Sequence, residues 1–384
     1  MIVRTVFFIS IFSANLFISH AQDNDTKKTV LKYQLDTLYL SQFPDADAPG
    51  GSVLIQNGDD TVFIANYGVA DIQTRERITE HTLFNTGSIS KTFVANGILL
   101  LHQQGKLSID DPILKYFPDF DHPELVKDVT IKHLLSHTSG IPDIRKIKEE
   151  KEFYLTAKDT QNFEPLKRVD SLHFQPGERF RYSNPVYNGL ALIIDQVTGE
   201  PWQKFITENI YLPSGMVNSK LQDGPEPQTG VAHGYYFKDG QYQEYDYREE
   251  PTFAASGNSG VWSSVTELAK YKKAIQNATF LDQELLQESR SAWKPTDWNS
   301  KTEPFIGYSW FIGEETLFFQ PNPYDVSFIY HTGSNAGYMS YYIEIPKHDI
   351  LIVALFNKNP KDLRKLMYDT IDILKTHNWL QDKP

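Results

Sequence analysis

Cysteine is absent from all 384 residues. Its absence excludes disulfides, thiolate metal sites, cysteine nucleophiles and a lipid-modified cysteine. Positive charge is also in deficit: 37 Lys and Arg face 49 Asp and Glu, a formal net charge of −12. No basic patch stands out, so nucleic acid is not an expected partner. The Gly-x-Ser-x-Gly nucleophile elbow of the α/β-hydrolases is missing. Internal repeats and low-complexity segments are missing as well.

What is present suffices for a large core: 40% of residues are hydrophobic and 13% aromatic. The length predicts two or three domains. Residues 1–21 read as a secretory signal, with Arg4 at the start, an apolar run from Val6 to Phe17, and Ser19-His20-Ala21 at the cleavage position. The run is too short for a membrane span. An uncleaved N-terminal anchor is the alternative. Residues 22–29 are polar and read as a flexible N-terminus. An exported chain without cysteine points to a bacterial periplasmic or secreted protein, with no stable membrane insertion after cleavage.

Along the chain, an amphipathic helix is predicted over Val30–Phe43, with Leu31, Leu35, Leu38 and Leu40 on its apolar face. Two strands, Gly51–Gln56 and Thr61–Tyr67, flank a turn at Gly58-Asp59-Asp60. A helix follows from Ser88 to Gly105. The middle of the chain reads as helices and loops, including Thr130–His137, Asn188–Val197, Trp202–Ile210 and Thr266–Gln276. Strand-like runs return at Ile306–Ile312, Ser327–Tyr330, Tyr338–Glu344 and Ile350–Phe356, and Leu363–His377 reads as a closing helix. The simplest architecture is α+β: an antiparallel sheet flanked by helices and assembled from both ends of the chain, with a mostly helical domain inserted. The division is 30–108 and 250–384 for the α/β domain and 109–249 for the helical one. The cleft between them is the expected active site.

The most telling pair is Ser88 and Lys91, in Gly87-Ser88-Ile89-Ser90-Lys91. A serine hydroxyl needs a base, and a lysine three residues on lies one helical turn away on the same face. About one or two Ser-x-x-Lys matches arise by chance in a chain this long, and a second one, Ser291-Ala292-Trp293-Lys294, is present. Pro295 pushes Lys294 out of helical geometry, so Ser291 closes a helix rather than opening one. Taken singly, Ser88 also reads as a helix cap beside a surface lysine. A second motif is Tyr182-Ser183-Asn184, after the Pro176-Gly177 turn and before a helix. A tyrosine near a lysine ammonium can shuttle protons, and Asn184 can donate to a substrate carbonyl and accept from Lys91. A helix cap beside a packed tyrosine is the plainer reading. The third motif is His331-Thr332-Gly333-Ser334, on or beside a late strand. Gly333 permits close backbone approach, and the N–H groups of Ser88 and Ser334 can pair as an oxyanion hole. His331 and Thr332 can hold a substrate carboxylate or carbonyl. A hairpin with a solvent-facing histidine is the plainer reading here.

The three motifs in this order resemble the serine β-lactamase and penicillin-binding-protein superfamily, which carries Ser-x-x-Lys, Ser-Asp-Asn and Lys-Thr-Gly. Tyr182-Ser183-Asn184 is similar to the tyrosine version of class C β-lactamases, some D-alanyl-D-alanine carboxypeptidases and β-lactamase-like esterases. Further family-like stretches are Leu134–Pro142, Ile210–Met216 and Ser259–Ser264. The resemblance spans roughly 35–375. It implies the β-lactamase/transpeptidase-like fold and a covalent acyl-enzyme. It implies catalytic Ser88, Lys91 and Tyr182, substrate-binding Asn184, His331, Thr332 and Gly333, and an oxyanion hole from the backbone of Ser88 and Ser334. The third motif departs from the family: histidine stands where these β-lactamases usually carry a fixed lysine cation. That weakens the case for an efficient β-lactamase and leaves D-amino-acid peptides and carboxylic esters open.

His133 and His137, four apart on a predicted helix, raise a metal hydrolase. A zinc helix of that kind carries Glu after its first histidine, and Leu134 stands there instead. Both histidines are therefore read as structural, with no metal and no cofactor expected. The expected partner is a small-molecule or peptide substrate. A different class of function is a penicillin- or peptide-binding sensor of the same fold that is acylated without turnover.

Overall fold

The computed structural model describes residues 28–145, 158–221, 229–244, 256–293 and 305–381. The expected signal at 1–21, most of the 22–29 segment, the 249/250 boundary and Lys294 lie outside these described residues.

A seven-stranded sheet forms the centre, in the order Asp60–Tyr67, Gly51–Asn57, Ile350–Phe356, Tyr338–Ile345, Phe328–Asn335, Phe311–Gly313, Phe305–Ile306. All neighbours are antiparallel, and the first and last parts of the chain meet where Gly51 faces Phe356 and Asn57 faces Ile350. The strand Ile350–Phe356 is buried throughout, so its alternating side chains serve two cores. Ile350, Ile352, Ala354 and Phe356 join Leu31, Leu35, Tyr39, Leu366, Ile371 and Leu374 under the two terminal helices, 28–40 and Leu363–Thr376. Leu351, Val353 and Leu355 face the other way, toward the cluster that holds Leu268, Tyr271 and Ile275 of the helix Val265–Gln276. The molecule is therefore layered helix, sheet, helix. Leu40, expected on the apolar face, instead stands 47% exposed where the N-terminal helix ends.

Two expectations need correction. The run Ile306–Ile312 is a hairpin, not a strand: Gly307 N–H bonds to Trp310 O at 2.8 Å, and Ser309 turns the chain at φ 71°. The middle segment also holds a hairpin, Tyr235–Lys238 with Gln241–Glu244. Its turn residues Asp239 and Gly240 both have positive φ, 52° and 82°, the Asp-Gly turn signal. Otherwise the middle carries short helices: Pro123–Val126, Ile131–Leu135, Asp159–Phe163, Pro185–Thr198 and Trp202–Ile206. One continuous buried cluster joins them to the helix Ser90–Gln103. A small sheet of Phe84–Asn85, Val261–Ser263 and Lys220–Leu221 closes the space beside that helix.

Candidate active site

Ser88 stands in a single 3-10 turn, Gly87–Ile89, between the short strand Phe84–Asn85 and the α-helix, which begins at Ser90 rather than at Ser88. Within residues 82–101 it is the sole residue that is not buried. The turn is pinned from several sides. Gly87 N–H donates to Asn85 Oδ1 at 2.8 Å, and Val261 N–H donates to Ser90 Oγ at 2.9 Å. Ser340 Oγ donates to Thr86 O at 2.8 Å. Gly87 has φ +54°, and a Cβ built on it falls 2.6 Å from Ser334 N. A Cβ on Gly333 falls 2.0 Å from Thr86 O. Both glycines are required by this close approach of two backbones. It sets the amide of Ser334 beside the turn that carries the amide of Ser88.

Lys91 is fully buried. Its Nζ donates to Ser88 Oγ at 3.0 Å and to the carbonyl of Asn258 at 2.7 Å. Burial holds its pKa well below the ordinary lysine value, with the Arg145 charge acting in the same direction. Desolvation disfavours an ammonium, so the neutral amine gains population near pH ~7, and a neutral amine accepts a proton. The ring centroids of Tyr182 and Tyr187 lie 5.2 and 5.8 Å from Nζ. The expected Lys91–Asn184 contact is not among the hydrogen bonds of the described residues; the Asn258 carbonyl takes that place. Asn184 sits half-buried at the entrance to the helix Pro185–Thr198. Neither composition nor motif spacing marks Asn258, because it acts through its backbone.

Tyr182 is gripped by aromatic neighbours. Its ring centroid lies 4.4 Å from that of His137, 6.3 Å from Phe311 and 6.4 Å from His331. His137 also holds the Tyr182 loop by its backbone and ring. Arg181 N–H donates to His137 O at 2.9 Å, and Ser183 N–H donates to His137 Nδ1 at 3.2 Å. His137 takes a left-handed conformation, φ 57°, that turns it out of the preceding helix. His133 serves a different end of that helix, where Thr130 N–H donates to its Nδ1 at 3.1 Å. Among the described residues no group of three His, Asp or Glu side chains could hold a metal ion.

His331 lies on the strand Phe328–Asn335 and is 1% exposed, which rules out the plainer alternative of a solvent-facing histidine. Its Nδ1 bonds to Thr332 O at 2.6 Å. A carbonyl only accepts, so Nδ1 carries the proton and Nε2 carries a lone pair. Burial, then the Lys91 charge, pushes its pKa down to about 3. The ring is neutral at pH ~7, and its one N–H is spent on the backbone. It therefore offers no donor to a substrate carboxylate, the role expected of it. Thr332 is half-buried, and Gly333 lies buried against Thr86.

The Beta-lactamase family model matches residues 37–374. The chain belongs to the β-lactamase family. It is 28% identical over 327 residues to penicillin-binding protein 4* of Bacillus subtilis, covering 80% of this chain and 68% of that one. Protein flp of Staphylococcus aureus is 26% identical, over 87% of this chain and 64% of its own length. Against the first relatives, then, the chain spans about two thirds of their length. The octameric penicillin-binding protein homologue from Pyrococcus abyssi superposes with a TM-score of 0.76 and 25% identity, covering 91% of this chain and 78% of that one. The D-amino acid amidase of Ochrobactrum anthropi SV3 superposes with a TM-score of 0.72, covering 91% of this chain and 99% of that one. At 21% identity it speaks to the fold alone. The chain thus has the α+β fold of this superfamily and the general character of its hydrolases.

Proposed function

We propose that this chain is an exported serine hydrolase in which Ser88 carries the acyl group. The observation behind the reading is the buried amine of Lys91, 3.0 Å from Ser88 Oγ and depressed in pKa. Neutral Lys91 takes the hydroxyl proton as Oγ forms a bond to a carbonyl carbon. The displaced electron pair moves to the carbonyl oxygen, which the amides of Ser88 and Ser334 receive. Tyr182 gives its phenolic proton to the departing amine or alcohol as the bond to it breaks, and the Lys91 ammonium returns a proton to Tyr182. Water then releases the acid from Ser88. Asn184 and Thr332 flank the substrate, and Gly333 keeps the strand close to Thr86.

The substrate class follows from His331. A buried neutral ring without a spare N–H does not hold a β-lactam carboxylate. Its Nε2 lone pair suits a donor, such as the amino group of a D-amino-acid amide or peptide. Esters, which need no carboxylate site, fit equally.

A fluorophosphonate or penicillin probe tests the nucleophile: it should label the native protein, and Ser88→Ala should abolish labelling. Labelling that survives the substitution, or maps to Ser291, sinks the assignment. A panel of nitrocefin, a D-alanyl-D-alanine peptide, a D-aminoacyl anilide and p-nitrophenyl esters tests the substrate. Nitrocefin turning over fastest would contradict the reading of His331. A stoichiometric burst without turnover would favour the sensor.

A further inference from the structure

Asp159 is a buried carboxyl without an ion-pair partner among the described residues, unlike buried Glu267 and Glu344, which face Lys270 and Arg290. Burying an unpaired carboxyl is costly, and only its hydrogen bonds offset the loss of water. Asp159 Oδ1 accepts from Gly257 N–H at 2.8 Å and from Asn188 Nδ2 at 2.7 Å. Oδ2 accepts from Trp202 Nε1 at 2.8 Å. Asn188 is itself fully buried, and its second amide proton goes to Ser256 Oγ at 2.5 Å. Its Oδ1 accepts from Asn258 Nδ2 at 2.8 Å. Every polar atom of the Asn188 amide is thus committed, so the amide cannot flip. The chain of bonds ends at Asn258 O, which holds Lys91 Nζ at 2.7 Å.

We propose that Asp159 is a positioning residue for Lys91: through Asn188 and Gly257 N–H it fixes the 256–258 turn whose carbonyl holds the amine on Ser88. This rests on the Ser88–Lys91 chemistry proposed above. The segment 256–259 is a turn closed by Ser259 N–H and Gly260 N–H on Ser256 O, at 3.0 and 2.7 Å, and the side-chain bonds fix where that turn sits beside Lys91. A loose turn would let Nζ leave Ser88 Oγ and draw in water. Burial pushes the Asp159 carboxyl up to about 7, with Asp195 adding to the rise. The groups facing Lys91 are Arg145, His137, His331, Tyr182 and Tyr187.

The test measures the rate constant for fluorophosphonate labelling of Ser88 against pH, with the melting temperature beside it. Two variants are compared, Asp159→Asn and Asn258→Ala. The second leaves the Asp159 carboxyl in place and removes the half-buried Asn258 side chain that donates to Asn188 Oδ1. Asn258→Ala should slow labelling by about tenfold or more, since small misplacement of a reacting group is expensive. The acid limb of its profile should move up by roughly one pH unit, because a hydrated amine holds its proton more tightly. Asp159→Asn should move the limb the same way. A wild-type rate and limb in Asn258→Ala overturns the proposal. So does an Asp159→Asn protein that melts earlier but labels, per folded molecule, with the wild-type profile. If the wild type is not labelled at Ser88 at all, the serine reading falls and takes this proposal with it. Labelling of the wild type with unaffected variants removes this proposal alone.

Discussion

Burial, more than any neighbour, shifts the titration of Lys91, His137 and His331. Lys91 and His331 both lie beside the Tyr182 ring, and desolvation depresses both. For His331 the consequence extends to stability. Its folded pKa, about 3, lies below the ordinary 6.5. Below about pH 6.5 the unfolded chain takes a proton that the folded chain refuses. The ring's contribution is therefore complete above about pH 6.5 and is lost progressively as pH falls toward 3. His137 has the same sign, and Asp159, raised to about 7, has the opposite sign. The effect is best read as a difference from His331→Gln. Urea unfolding at pH 7 and pH 5 should show the wild type losing about 2 kcal/mol relative to the variant, at about 1.4 kcal/mol per pH unit below 6.5. A pH-independent difference would mean that the ring is not held neutral.

The elements that make the site are a turn and a strand end pressed against each other. The ordered motifs and the family resemblance they carry pointed to both, and the strand Phe328–Asn335 continues past the expected Tyr330 to take in His331-Thr332-Gly333. Their separation is fixed by the missing side chains of Gly87 and Gly333. In Gly333→Ala the new Cβ would sit 2.0 Å from Thr86 O and 2.3 Å from Ser340 Oγ. Neither the carbonyl nor the paired strand yields without moving the Ser334 amide. Ser88 labelling should fall by about a hundredfold or more, the range for losing one oxyanion donor. Near-native labelling in that variant would show that the Ser334 amide is not part of the site. The hairpins Tyr235–Lys238 with Gln241–Glu244, and Phe305–Ile306 with Phe311–Gly313, show where reading by period fails. Each strand is at most four residues long, too short for alternation to stand out, although Asp239-Gly240 carried the turn signal.

At the scale of the whole molecule, the two ends of the chain close one sheet and cover its outer face together. Tyr39, Tyr341 and Thr370 join the N-terminal helix, the sheet and the C-terminal helix in a buried hydroxyl network. Thr370 Oγ1 donates to Leu366 O at 2.8 Å, so it accepts from Tyr39 Oη. Thr370→Val leaves that tyrosine short of an acceptor and should cost about 1–3 kcal/mol. Ser88 labelling should be unchanged, because this network lies on the far face of the sheet. Calorimetry and a labelling rate measured side by side check both parts; a slowed rate would show that the two faces are coupled.

Local features were legible in the amino-acid order. Apolar periodicity set the helices and long strands, turn residues set most of their limits, and three ordered motifs pointed to Ser88, Lys91, Tyr182 and His331. These follow from neighbouring residues alone, which is why spacing reveals them. What surrounds those groups depends on contacts between distant segments. Asn258 offers Lys91 a backbone carbonyl from 167 residues away, and His137 braces the Tyr182 loop from 46 residues away. His331 became a buried neutral ring, and Asp159 an internal acid. Burial and long-range hydrogen bonds depend on which distant segments the fold brings together, and they set the charge and reach of each group in the cleft.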